Sequence, residues 1–207
     1  MKTKYKTRRG FTRTPKSLVS GFTVLESIVA IGVLSAAIAG SFTAIQTNLS
    51  QSIIVKDEVK AFYLAQEAVE IIRNARDHNQ LERITDPAST VTWLTGISED
   101  VSDHCYFGKV CRMEVSSPSP DNFETCDASE WGYCPVLRKN ASSFIYGYNY
   151  GLDWSDTNFV REVKIERVRD DPTTGDPVEI AVTVRVSWKK GLIDRQFEAK
   201  TYLFNWI

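Results

Sequence analysis

The chain has 207 residues, 43% of them hydrophobic and 25% charged, with a formal net charge of -1, which in bulk describes one soluble domain of ordinary size. The charge is unevenly spread: Lys2, Lys4, Lys6, Arg8, Arg9, Arg13 and Lys16 stand in the first 21 residues without an acid, so that segment carries +7 and the remainder -8. This division excludes a uniform globule, and a basic block confined to a short terminal tail argues against a nucleic-acid partner, leaving a targeting leader as the expectation for residues 1–21.

No charged residue occurs from Ser27 to Val55, and Ile28 to Ile45 is long and apolar enough to cross most of a bilayer as a helix. A membrane span is expected over about residues 24–46. With the basic cluster on its N-terminal side, the positive-inside rule predicts a cytoplasmic N-terminus and an extracytoplasmic remainder. A secretory signal peptide fits, with an A-x-A match at Ala37-Ile38-Ala39 before Gly40, and so does an uncleaved single-pass anchor. Neither uses Glu26, whose unpaired carboxylate near the start of an apolar span costs up to about 3 kcal/mol.

A third kind of segment does use it. Gly21-Phe22-Thr23-Val24-Leu25-Glu26, behind a basic leader and ahead of an apolar helix, resembles the processing site of type IV prepilins. The resemblance implies cleavage by a prepilin peptidase after Gly21, a mature chain beginning at an N-methylated Phe22, and a role for Glu26 in methylation and assembly. Glycine suits a scissile position because a protease must approach the backbone closely. Gly10-Phe11-Thr12 repeats the first three letters, but Arg13, Pro15 and Lys16 follow it where an apolar helix is needed. After cleavage the Phe22 amine and the Glu26 carboxylate would both lie at the membrane edge. In a stack of subunits the carboxylate of one chain can meet the amine of the next and neutralise two poorly solvated charges.

No proline occurs between Pro15 and Pro87 and no glycine between Gly40 and Gly96, so the helix is expected to continue to about residues 77–79. From Phe22 that is roughly 80 Å at 1.5 Å per residue, more than a small domain uses. Val55, Val59, Phe62, Ala65, Val69 and Ile72 form one apolar stripe, Ala61, Leu64, Ala68, Ile71 and Ala75 another, and two stripes predict two packing partners. Gly32, Ala36 and Gly40 form a row of small residues at a spacing of four that suits close helix approach. The pilin resemblance assigns the first half of the helix to the membrane and later to a filament core, and the second half to the subunit's own sheet. Ala61 to Arg73 also resembles the helix of minor pseudopilins. The chain departs from major pilins in having no proline in the membrane half, where Gly40-Ser41 is the pair that could loosen the helix.

Residues 80–207 are expected to form an extracytoplasmic α+β head, with turn signals at Asp86-Pro87, Ser116 to Pro120 and Thr173 to Pro177. Ile180, Val182, Val184, Val186 and Trp188 alternate with Glu179, Thr183, Arg185 and Ser187, a half-buried strand. Phe159 to Val168 before it and Ile193 to Trp206 after it complete a three-stranded antiparallel meander over residues 156–207. Its buried face would take the apolar face of the long helix, and that layout is again similar to a pilin. Residues 80–150 read as loop-rich and hold all four cysteines. In an extracytoplasmic compartment Cys105, Cys111, Cys126 and Cys134 are most simply two disulfides; three connectivities are open, of which Cys105 with Cys111 and Cys126 with Cys134 is preferred. A zinc site is the rival, although neither spacing is that of a zinc knuckle and His104 is the one imidazole nearby. Phe144, Tyr146, Tyr148, Tyr150 and Trp154 alternate as the core side of a strand would.

Neither His78 nor His104 accompanies a nucleophile motif, and no phosphate loop, H-E-x-x-H or EF-hand occurs, so no enzyme activity, metal or cofactor is expected. The acids Asp153, Asp156, Asp170, Asp171 and Asp176 read as solvated loop residues ahead of calcium ligands. The expectation is a minor pilin or pseudopilin whose partners are a prepilin peptidase and methylase, other pilin-like subunits and the membrane. The competing class is a membrane-tethered binding module with an ordinary signal anchor.

Overall fold

A computed structural model describes residues 21–86, 88–114, 123–127 and 130–206; the basic leader with its Gly10-Phe11-Thr12 repeat, and the Ser116 to Pro120 turn, lie outside them. The chain divides into two compact units between Gln51 and Ser52. One helix, α1 (Val24–Thr85), contributes to both. In the first unit its side chains are all exposed, and this is the one described helix long and apolar enough to cross a membrane. In the second unit it is followed by seven strands: β1 (Val110–Met113), β2 (Phe123–Asp127), β3 (Val136–Asn140), β4 (Tyr146–Gly147), β5 (Trp154–Asp170), β6 (Pro177–Lys190) and β7 (Ile193–Phe204). The architecture is α+β.

The helix passes the expected end at 77–79 because Gln80 to Ile84 are competent helix formers, and only the Asp86-Pro87 dipeptide disfavours further helix. The polar residues that suggested an end are used inward. Asn79 Nδ2 donates to Thr95 O at 2.9 Å, and Gln80 Nε2 donates to Asn205 Oδ1 at 3.2 Å.

All seven strands form one antiparallel sheet around β5. One edge of β5 pairs with β6, which pairs with β7, giving the expected meander. Its other edge is shared, β3 taking the first part and β1 the second, with β4 and β2 outside them. The cysteine region is therefore sheet as well as loop. Its strands were not legible because each is five residues or shorter and its register is imposed by β5.

The core lies between one face of this sheet and α1. Ala61, Leu64, Ala65, Ala68, Val69 and Ile72 are buried against Phe159, Val163 and Ile165 of β5 and the alternating Ile180 to Trp188 of β6. Each large side chain so buried contributes about 1.5–3 kcal/mol. The buried face takes members of both expected stripes and meets the sheet and, at Asn79, the segment around Trp93 to Thr95; Val55, Val59 and Phe62 stay about half exposed, Phe62 with its ring 5.8 Å from Phe197 of β7.

A charge is sealed into this interface. Arg161 falls on the core face of β5, between Phe159 and Val163, and is 0% exposed. Its Nη2 donates to Met113 O at 2.9 Å, its Nη1 donates to Leu64 O at 3.3 Å, and Nη1 also pairs with the Glu67 carboxylate. A buried guanidinium is tolerated only with such acceptors, and removing one side of the pair strands the other. Arg161→Ala is expected to destabilise the head by about 3 kcal/mol, whereas the double change Arg161→Met with Glu67→Leu stays near neutral. Urea unfolding of the detergent-solubilised chain, followed by near-ultraviolet circular dichroism, measures both; an Arg161→Ala chain as stable as the parent contradicts the clamp.

Candidate functional site

The residues of the proposed processing site stand at the start of α1. Gly21, Phe22 and Thr23 are outside the helix and exposed, and a side chain placed on Gly21 would meet nothing within 4 Å. Thr23 is the N-cap: its Oγ1 accepts the Glu26 N–H at 3.2 Å, and its carbonyl accepts the Ser27 N–H at 3.1 Å. T-x-x-E spacing is the sequence signature of a capping box, a signal in these residues that the sequence reading passed over. Glu26 lies in the first turn, where the positive end of the helix dipole favours an acid.

The helix surface that follows is chemically simple. Gly32, Ala36 and Gly40 are exposed, and the two glycines have open space where a Cβ would stand. Three hydroxyls in the apolar run bond back to the helix: Ser41 Oγ donates to Ala37 O at 2.9 Å, Thr43 Oγ1 to Ala39 O at 3.0 Å and Thr47 Oγ1 to Ala44 O at 2.9 Å. Hydroxyls bound back in this way carry less cost into hydrocarbon than free ones.

In the head, the structure pairs Cys105 with Cys111 and Cys126 with Cys134, with Cα atoms 5.2 and 4.8 Å apart, so no thiol among them is available to zinc. The first disulfide is in the core beside β1. The second anchors a loop on the far face of the sheet, where the buried Glu162 carboxylate accepts the Gly132 N–H at 2.5 Å and Arg185 lies 4.2 Å from the centre of the Trp131 ring. Gly132 has a φ of 102°, which a residue with a Cβ resists.

Three of the five loop acids have local partners. Asp156 pairs with Arg138 at 2.6 Å, and Asp170 lies 3.6 Å from Arg167. The Asp171 carboxylate accepts the Thr173 N–H at 2.7 Å, a bond that holds its pKa below the usual value. No cluster of three potential metal ligands occurs among the described residues. The aromatic run is not the core face expected of it: Tyr148 is buried, but Phe144 and Tyr150 are 66% and 80% exposed, because β4 is only two residues long and the chain turns on both sides of it. Burial raises the Tyr148 pKa above the usual value, and its hydroxyl donates to Arg161 O at 3.3 Å. Gly147 beside it allows close contact, since a Cβ there would lie 3.1 Å from Glu114 Oε1 and 3.2 Å from the Trp154 ring.

His78 is exposed on α1, and His104 Nδ1 lies 3.3 Å from Thr125 Oγ1. No family model, no curated protein and no solved structure matches the chain. The two short disulfide loops generate a quantitative expectation. Replacing Cys126 and Cys134 together by serine should cost about 2.5 kcal/mol, the loop-entropy value for a closure of this size. Non-reducing peptide mapping should return the two pairs named above; four free thiols, or a Cys126→Ser/Cys134→Ser chain of unchanged stability, would contradict this account.

Proposed function

We propose that the chain is a pilin-like structural subunit, a minor pilin or pseudopilin, made as a membrane-anchored precursor with its N-terminus in the cytoplasm. It is cut after Gly21 by a prepilin peptidase and enters a filament of the type IV pilus or type II secretion kind through its N-terminal helix. The observation that carries this reading is the contrast between two candidate cleavage sites. Gly21-Phe22-Thr23 lies outside the helix and is exposed, whereas Ala37-Ile38-Ala39 lies within α1 with hydroxyls bound to its carbonyls. A protease needs an accessible, unpaired backbone, which only the first provides.

Cleavage at Gly21 also gives Glu26 a purpose. The new Phe22 amine and the Glu26 carboxylate then flank the Thr23 cap, and each can neutralise its counterpart on a neighbouring subunit inside a filament. The exposed Gly32, Ala36 and Gly40 row supplies a surface along which such helices can approach closely. Assembly, not covalent chemistry, is the work assigned to the protein.

Glu26→Leu is the variant that tests this role. Loss of one partner of a poorly solvated pair costs about 3–5 kcal/mol, so incorporation into the filament fraction should fall at least about a hundredfold, while insertion and removal of the leader persist. Quantitative blotting of membrane and sheared-filament fractions reads the outcome. Normal incorporation of Glu26→Leu contradicts the proposal.

A further inference from the structure

Two turns at one end of the head, and a third beside them, hold apolar side chains in water. Leu192, after Gly191 in the β6–β7 hairpin, is fully exposed, and Ile193 next to it is 60% exposed. Leu152, in the turn before β5, is also fully exposed, and Phe144 protrudes from the β3–β4 turn at a φ of 60°. One exposed leucine needs no explanation; several on turn tips, where small and polar residues are the rule, do.

Strand register puts them at the same end of the sheet. Phe159 faces Trp188, and Asn158 Nδ2 donates to Lys189 O at 3.0 Å, so the start of β5 lies beside the end of β6. Asn140 faces Trp154, and Ala141 N donates to Asp153 O at 2.8 Å, which brings the Phe144 turn next to Leu152. This is also the end at which the chain enters the head. Lys190 Nζ lies 3.4 Å from Asp57 Oδ2, and Arg195 Nη1 lies 3.2 Å from Glu58 Oε1. Asp57 follows the end of the apolar span by only roughly eleven residues, all of them within α1.

We infer that this end of the head rests on the lipid surface its own helix spans, with Leu152 and Leu192 entering the headgroup layer of a zwitterionic bilayer. The inference depends on the first half of α1 being a membrane span. Net charge does not supply the attraction. Asp57 is shared by Lys60 and Lys190, Arg195 is answered by Glu58, and Lys189 lies 3.8 Å from Asp194. Apolar tips among internally paired charges match the boundary between headgroups and acyl chains, where leucine leaves water and paired ions stay wet. The contact is therefore expected to be insensitive to salt.

The test uses the full chain in phosphatidylcholine nanodiscs, one copy per disc, with labelled leucine and isoleucine methyls and lipids carrying a nitroxide near the headgroup. The Leu152 and Leu192 signals should be lost together with that of Leu34 in the span, with or without added salt. The signal of Leu81 should survive, since this residue is exposed on α1 about 36 Å along the helix from Asp57. In Leu192→Ser the Ile193 methyl signal, lost in the parent, should return while that of Leu34 stays lost. If Leu34 is lost but Leu152 and Leu192 are retained, the docking inference fails alone; if Leu34 is retained, the membrane reading and the inference fail together. Loss at the tips only in discs that hold two copies assigns these turns to a second copy and overturns the inference as well, as does an Ile193 signal that stays lost in Leu192→Ser.

Discussion

Arg161 faces the core of the head, and its guanidinium has to find acceptors where water does not reach. It takes the Leu64 carbonyl and the Glu67 carboxylate from α1 and the Met113 carbonyl from the end of β1. Three elements are thereby tied to one side chain. Sliding the helix by a turn along the sheet would leave a buried charge unpaired, a cost that apolar contacts between alanines and valines do not impose by themselves. Ala61, Ala65 and Ala68 bring α1 close to the sheet, and the arginine decides at which height it is held.

That constraint lets the two parts of α1 serve different surroundings. From Ser52 onward its buried face belongs to the head. Before Gln51 its side chains face outward, three hydroxyls of its apolar run are turned back on its own carbonyls, and its first turn is capped by Thr23. The first half therefore buries none of its side chains, and it is this exposed surface that the proposed assembly uses. The far face of the sheet is held by other means, the Cys126–Cys134 disulfide and the buried Glu162 that binds the loop it closes.

Much of this was legible in the residues, and the exceptions have physical causes. The alternation of β6 is a strong periodic signal and became the expected strand; the charge-free run after Glu26 is a compositional one and became a helix long and apolar enough to cross a membrane. The end of α1 was misjudged because Asn79 and Gln80 are polar, yet both are turned inward to serve loop and terminal groups that come from far along the chain. β1 to β4 are too short to carry a pattern and exist because β5 offers them an edge. The aromatic alternation around Tyr148 suggests a strand face, but the chain turns on either side of a two-residue strand and leaves the Phe144 and Tyr150 rings in water. Arg161 could have been found: the same alternation that buries Phe159, Val163 and Ile165 places it among them, and Glu67 on the facing helix is its partner.

The functional account turns on where the mature chain begins. Purification of the protein from membranes of a cell that has a prepilin peptidase, followed by mass spectrometry of the N-terminal peptide, measures this directly. The account predicts a peptide that starts at a methylated Phe22. A start at Gly40, or an intact leader beginning at Met1, would contradict it.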